Sequence, residues 1–155
     1  MSKICIVMSN YYKDVCGGIY KKSLKTLSQK GTKNKLDLKV VPGAFEIPVT
    51  ISRNINKYDG FVAIGCVIKG ETPNFEFISK AITYGIMNLS IRNKKPIGNA
   101  IITCLTKKQA LKRFKKGEEA AKAVLEVLKV WNGRKKQISQ SKNYCNTKTV
   151  RPSYK

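Results

Sequence analysis

Two short stretches and a pair of tyrosines hold the residues of this chain best suited to chemistry. In Gly65–Phe77, read GCVIKGETPNFEF, the apolar run from Phe61 to Ile68 stops at Lys69-Gly70, and Thr72 and Pro73 open a helix. A buried strand that ends where a helix begins presents free backbone N–H groups to an anion such as phosphate. The same residues also fit a plain Thr N-cap followed by proline. Pro42-Gly43-Ala44-Phe45-Glu46-Ile47-Pro48 combines a rigid turn, an aromatic ring and a carboxylate. Its other reading puts Phe45 in the core and Glu46 at a helix N-terminus, where the dipole favours it. Tyr11-Tyr12 offers stacking for a flat heterocycle, or one ring of the pair simply packs on the following helix. Cys66 would be a nucleophile if a base activated it. The chain contains no histidine and Cys66 is flanked by Gly65 and Val67, so core packing is the better reading.

Regular elements must hold these stretches in place. Lys3–Met8 reads as a short buried strand. Tyr12, Val15, Cys16, Ile19, Tyr20, Ser23, Leu24 and Leu27 then follow a 3.6-residue stripe, the pattern of an amphipathic helix. Gly17 and Gly18 weaken that helix locally, and Gly31 is its expected stop. Leu36, Leu38 and Val40 alternate with polar residues, which predicts a second strand over Lys35–Val41. Pro48 suits the first turn of a helix with Ile47, Ile51 and Ile55 on one face. Phe61–Ile68 reads as a third strand, apolar on both faces, and a helix follows from Pro73 to Arg92 with Phe75, Ile78, Ile82, Ile86 and Leu89 as its stripe. Ile97–Leu105 reads as a fourth strand. A short helix near Lys108–Phe114 and a last one over Glu118–Trp131 complete the series. Strand alternates with helix four times, which predicts an α/β fold: a three-layer αβα sandwich around a four-stranded parallel sheet. Ligands in such sheets bind beyond the carboxyl ends of the strands. That marks Ser9–Lys13, Pro42–Ile47, Ile68–Asn74 and Thr103–Thr106. Beyond Asn132 the periodicity vanishes, so residues 1–132 read as the domain and Gly133–Lys155 as a basic tail without regular structure.

Composition narrows the functional classes. A chain of 155 residues with 42% hydrophobic content suits one globular domain. No apolar run approaches the roughly 18 residues of a membrane span, and Ile4–Met8 is too short for a signal-peptide core, so a cytoplasmic protein is expected. The cysteines at 5, 16, 66, 104 and 145 form no CxxC pair, and no metal site or disulfide framework is expected. The net charge is +22. Seven of those charges (Arg134, Lys135, Lys136, Lys142, Lys148, Arg151 and Lys155) lie in the tail, and the rest are spread over the body. No basic groove with interleaved aromatics is present, so a lysine-rich solvated surface is preferred to a nucleic-acid interface. Such a surface still draws anionic substrates.

Taken together, VPGAFEIP (Val41–Pro48), GCVIKGETP (Gly65–Pro73) and KGEEAA (Lys116–Ala121), in this order and spacing, resemble the 6,7-dimethyl-8-ribityllumazine synthase family over about Lys3 to Trp131. The resemblance implies a flavodoxin-like fold. It also implies a transferase of riboflavin biosynthesis that condenses 5-amino-6-(D-ribitylamino)uracil with 3,4-dihydroxy-2-butanone 4-phosphate, releasing phosphate and water, without cofactor or metal. It places Tyr11 against the pyrimidine ring. Ala44, Phe45 and Glu46 fall at the ribityl chain and ring, and Cys66, Val67 and Ile68 at the strand end that offers backbone groups to the pyrimidine. Glu71 and Thr72 match the phosphate turn, where backbone N–H groups matter more than the Glu71 carboxylate. Asn99, Arg113 and Lys116 match positions that an adjacent subunit contributes, the first lining the pyrimidine pocket and the other two gripping phosphate. The implied partners are further copies of the chain, as a pentamer or multiples of it with sites between subunits, and riboflavin synthase as a candidate. Two departures stand out. Asn74 occupies the position of the family's proton-transferring histidine, and the segment from Arg113 to Gly117 is shorter than the family's loop. An active synthase is the first reading. A relative that binds a ribityl-pyrimidine or flavin without turnover, as an assembly scaffold, is the alternative.

Overall fold

The computed structural model describes residues 1–29 and 33–145, with the side chains of 134–145 outside the description. Four strands, β1 (Lys3–Ser9), β2 (Lys35–Val41), β3 (Gly60–Ile68) and β4 (Ile97–Cys104), form one sheet in the order β2-β1-β3-β4. Every neighbouring pair is parallel. The helices are α1 (Lys13–Leu27), α2 (Ile47–Asn54), α3 (Asn74–Asn93), α4 (Lys107–Ala110) and α5 (Lys115–Cys145), with short 3-10 turns at Ala44–Glu46 and Ile55–Lys57. This is the expected three-layer α/β architecture.

The period of two along each strand divides the core into two halves. Ile4, Ile6, Val62, Ile64, Cys66, Ala100, Ile102 and Cys104 face α1 and α5. Cys5, Val7, Phe61 and Ala63 face Ile47 and Ile51 of α2 and Ile82 and Ile86 of α3. Cys5, Cys16, Cys66 and Cys104 are all buried, as their apolar settings predicted. Among the described residues no cluster of His, Cys, Asp or Glu could hold a metal ion, and no helix is long and apolar enough to cross a membrane.

Several boundaries move, each for a local reason. α1 runs straight through Gly17 and Gly18, and a Cβ on Gly18 would collide with the Phe114 ring at 2.6 Å. That glycine therefore makes room for an aromatic side chain from the other end of the fold. The helix stops at Leu27, while the expected stop at Gly31 lies outside the described residues. Leu38 and Val40 are exposed on the edge strand β2. α3 starts at Asn74 rather than Pro73, and no side chain caps it, so the Thr72 N-cap is not formed. α4 is a single turn. It is held by a reciprocal cap in which Thr106 Oγ1 accepts from the Gln109 amide and Gln109 Oε1 accepts from the Leu105 amide. α5 does not stop near Trp131 but continues to Cys145. Residues 133–145, expected to lack regular structure, are thus helical, in keeping with the strong helix formers Arg134, Lys135, Lys136 and Gln137 after Gly133. Residues 146–155 lie outside the described residues.

Candidate active site

The register of the sheet creates the site. β1 pairs with β3 from Ile4↔Gly60 to Met8↔Ile64, whereas β3 pairs with β4 as far as Ile68↔Cys104. Gly65, Cys66, Val67 and Ile68 therefore have partners on β4 but none on β1. β1 ends and its chain turns away, with the Asn10 amide donating to the Val41 carbonyl at 2.8 Å. The freed edge of β3 lies at the carboxyl end of the sheet, where open α/β sheets bind ligands.

A pocket of about 260 Å³ opens over this edge, lined by Tyr11, Tyr12, Gly43, Ala44, Phe45, Cys66, Val67, Ile68 and Ile78. Each wall has an identifiable support. The buried Ser9 hydroxyl accepts from the Tyr11 amide at 3.3 Å. Tyr12 is the N-cap residue of α1, and its carbonyl accepts from the Cys16 amide at 2.9 Å. The two rings meet edge to face with centroids 4.9 Å apart. The 3-10 turn of Ala44–Glu46 sits close on β3 because residue 65 is glycine: a Cβ there would lie 3.1 Å from Ala44 Cβ and 3.2 Å from Ile47 Cδ1. The Glu46 carboxylate folds back over Gly43, where a Cβ would come within 2.8 Å of Glu46 Oε2. Ala44 is buried beneath the turn, while Phe45 points outward and is 60% exposed, so Phe45 is a site wall and not a core residue.

Asn74 lies on the far side of Phe45. It lines an adjoining depression of about 380 Å³ with Phe45, Phe77, Ile78 and Ala81, so Phe45 and Ile78 form the wall shared by the two. Glu71 and Thr72 are exposed in the turn between β3 and α3 and line neither space. The uncapped first turn of α3 leaves its N–H groups without a side-chain acceptor.

Asn99, Arg113 and Lys116 also lie outside both spaces. Asn99 is on the edge strand β4, exposed, its Oδ1 accepting from the Ile101 amide at 3.0 Å. The segment after α4 is a tight turn in which the Lys116 amide donates to the Arg113 carbonyl at 3.0 Å and the Gly117 amide to the Phe114 carbonyl at 3.1 Å. Phe114, seated on Gly18, anchors it. The turn delivers the Arg113 guanidinium to the carboxyl end of β4, donating to the Thr103 carbonyl at 3.3 Å and to Cys104 Sγ at 3.9 Å. Lys116 instead pairs with Glu119 at 3.3 Å.

The electrostatics of the pocket are those of neutral groups. Burial pushes the Cys66 thiol up to about 12, so it is protonated near neutrality and is not an activated nucleophile. Burial, reinforced by Tyr11 and Cys66, also raises the Tyr12 phenol above its ordinary value. An ion pair beside the pocket, Lys107 Nζ to Asp14 Oδ2 at 2.9 Å, ties the start of α1 to the start of α4. Its hydrogen bond holds the Asp14 carboxyl below the ordinary range. Of the lining residues, Tyr12, Gly43 and Ile78 were not assigned to the site from sequence. Tyr12 had a visible signal as half of the tyrosine pair. Ile78 reads only as one member of a helical stripe.

The sequence model of the 6,7-dimethyl-8-ribityllumazine synthase family matches residues 1–132. The chain is 35% identical over 141 residues to 6,7-dimethyl-8-ribityllumazine synthase 1 of Rhodopseudomonas palustris, covering 83% of this chain and 85% of that one. It is 35% identical over 136 residues to the 6,7-dimethyl-8-ribityllumazine synthase of Rhodopirellula baltica, covering 83% and 88%. It is 38% identical over 109 residues to that of Aliarcobacter butzleri, covering 66% and 70%.

Proposed function

This chain belongs to the 6,7-dimethyl-8-ribityllumazine synthase family, and from that premise we propose that it is an active synthase of riboflavin biosynthesis in which Asn74 slows proton transfer without abolishing turnover. The observation that carries the reading is the gathering of Tyr11, Ala44, Phe45, Cys66, Val67 and Ile68, from three separate loops, around one pocket. The pyrimidine ring lies against Tyr11 with its edge on the freed backbone of β3, and the ribityl chain runs past Phe45 and Glu46. The butanone phosphate sits towards Glu71, Thr72 and the first turn of α3. Holding the amine of one reactant beside the ketone of the other supplies the proximity term of the condensation, which Asn74 leaves intact. Asn74 can orient a hydrogen bond but cannot titrate near neutrality.

Asn99, Arg113 and Lys116 act on the pocket of a neighbouring copy. They lie outside the pocket of their own chain, and α3 carries an exposed apolar stripe suited to packing against other copies. The assembly is a pentamer or a multiple of it, working in the cytoplasm, with riboflavin synthase as the consumer of its product. The test is lumazine formation from both substrates, followed by absorbance. A rate above the spontaneous condensation supports the reading, and a rate equal to it sinks it. The absence of any histidine favours one other reading, a relative that binds the heterocycle without turnover. Saturable lumazine binding with no rate enhancement would single that out.

A further inference from the structure

One pocket residue has no role in the reading above. Tyr12 lines the pocket beside Cys66 and the freed edge of β3, half-buried, with its backbone fixed as the α1 N-cap and its ring held edge-on to Tyr11. Among the described residues its hydroxyl has no hydrogen-bonding partner, so its donor is available to a ligand. The side chains that line the pocket with a hydroxyl or thiol are Tyr11, Tyr12 and Cys66. Cys66 is a weak donor by chemistry. Tyr11 is 73% exposed, so water satisfies its hydroxyl as well as a ligand would. The Tyr12 phenol is the one of the three that is both partly withdrawn from water and a strong donor.

Resting on the assignment of this pocket to a pyrimidine-derived heterocycle, we propose that Tyr12 is a specificity-determining residue whose hydroxyl donates a hydrogen bond to a ring carbonyl oxygen of the bound ligand. The backbone edge of β3 offers both donors and acceptors, and so discriminates poorly between a carbonyl and an N–H on the ring. A neutral phenol facing a carbonyl settles that choice, because a ring lacking the oxygen strands the donor without a partner. Burial keeps the phenol protonated through the neutral range, so it remains a donor there.

The test uses the full chain and titrates 6,7-dimethyl-8-ribityllumazine by its fluorescence, beside two analogues in which each ring carbonyl oxygen is replaced in turn by sulfur, a poor acceptor. Tyr12→Phe keeps the ring and its contact with Tyr11. It should weaken lumazine binding by about fivefold to tenfold. The wild type should discriminate by a similar factor against one of the two thio analogues, and Tyr12→Phe should lose that discrimination. Unchanged binding by Tyr12→Phe, or discrimination that survives the substitution, overturns the assignment of Tyr12 alone. A wild type that binds no lumazine overturns the pocket assignment itself and this inference with it.

Discussion

In the proposed synthase, Asn74 is the residue at which binding and catalysis would separate. It opens α3, exposed, beside Phe45 and Phe77, where a side chain can reach a reactant without disturbing the core. An imidazole at that position would lie at a helix N-terminus, whose dipole disfavours the charged form, so Asn74→His should act as a neutral base. A positioned acid–base group contributes about 10²–10⁴-fold, and a grafted one should recover part of it. The expected outcome is a kcat raised about 10–100-fold with KM nearly unchanged, the ratio of variant to wild-type rate falling below about pH 6. Steady-state kinetics across pH would decide it. The thiols make a second prediction at this scale. Burial raises Cys5 and Cys16 to about 11 and Cys66 to about 12, from 9.0. The folded state then holds protons that the unfolded chain releases above pH 9. Their stabilising contribution is complete below pH 9 and is lost as pH climbs through 11 to 12. Urea midpoints should therefore fall between pH 9 and 11, and Cys16→Ala should flatten that slope. From sequence, Tyr11 and Phe45 each had a reading in the site, and both line the pocket, while Asn74 lines the adjoining depression. Tyr12 was half legible, because a Tyr-Tyr pair does not say which ring packs and which faces a ligand. Both line the pocket here.

At the scale of elements, α1 against α5 is the contact that holds the Arg113 turn. A Cβ on Gly117 would collide with the Ile19 carbonyl and lie 2.7 Å from Ser23 Oγ, and the Ser23 hydroxyl donates to the Gly117 carbonyl at 2.9 Å. Backbone meets backbone there, so no rotamer change relieves the clash. Gly117→Ala should cost about 1–3 kcal/mol, read as a lower urea midpoint at unchanged slope. Gly17→Ala is the internal contrast. Nothing lies within 4 Å of its added Cβ in the middle of α1, so the helix gains about 0.5–1 kcal/mol. The same two glycines show what sequence conveys about elements. Periodicity located all four strands and the five helices, because burial on both faces of a parallel sheet writes continuous apolar runs. It placed the helix ends poorly. The Thr106–Gln109 cap fixes the start of α4, a left-handed Lys94 with φ of 53° ends α3, and helix formers carry α5 past Asn132. Those are contests between local bonds, invisible to a hydrophobic count. That Gly18 and Gly117 are packing devices and not weak points depends on Phe114 and Ile19, residues far away in sequence.

At the scale of the whole molecule, α3 is apolar on two faces, and a single copy can bury only one. Ile82 and Ile86 are buried against the sheet, with Ile78 and Leu89 packed beside them, as the helical stripe predicted. Phe77, Tyr84, Met87 and Ile91 are left outside, with Phe77 68% and Tyr84 73% exposed. The spacing from 77 to 84 to 87 to 91 follows the alternating seven-, three- and four-residue steps of a helix that packs against other helices. The first stripe was legible because it shares the period of the fold. The second was hidden, since a helix apolar all round reads simply as buried. Charge argues the same way. At +22, copies of this chain repel one another, so association needs an apolar seam, and like-charged side chains placed in that seam should be intolerable. Tyr84→Lys with Met87→Lys changes two exposed residues that touch none of the core, so the monomer fold and its far-ultraviolet dichroism should persist. Sedimentation velocity should show the wild type as an assembly and the double variant as a smaller species. Lumazine formation should fall in parallel if, as proposed, Arg113 and Lys116 serve a neighbour's pocket. A double variant that sediments like the wild type would remove α3 from the interface. One that dissociates yet keeps full activity would instead return Arg113 to the service of its own chain.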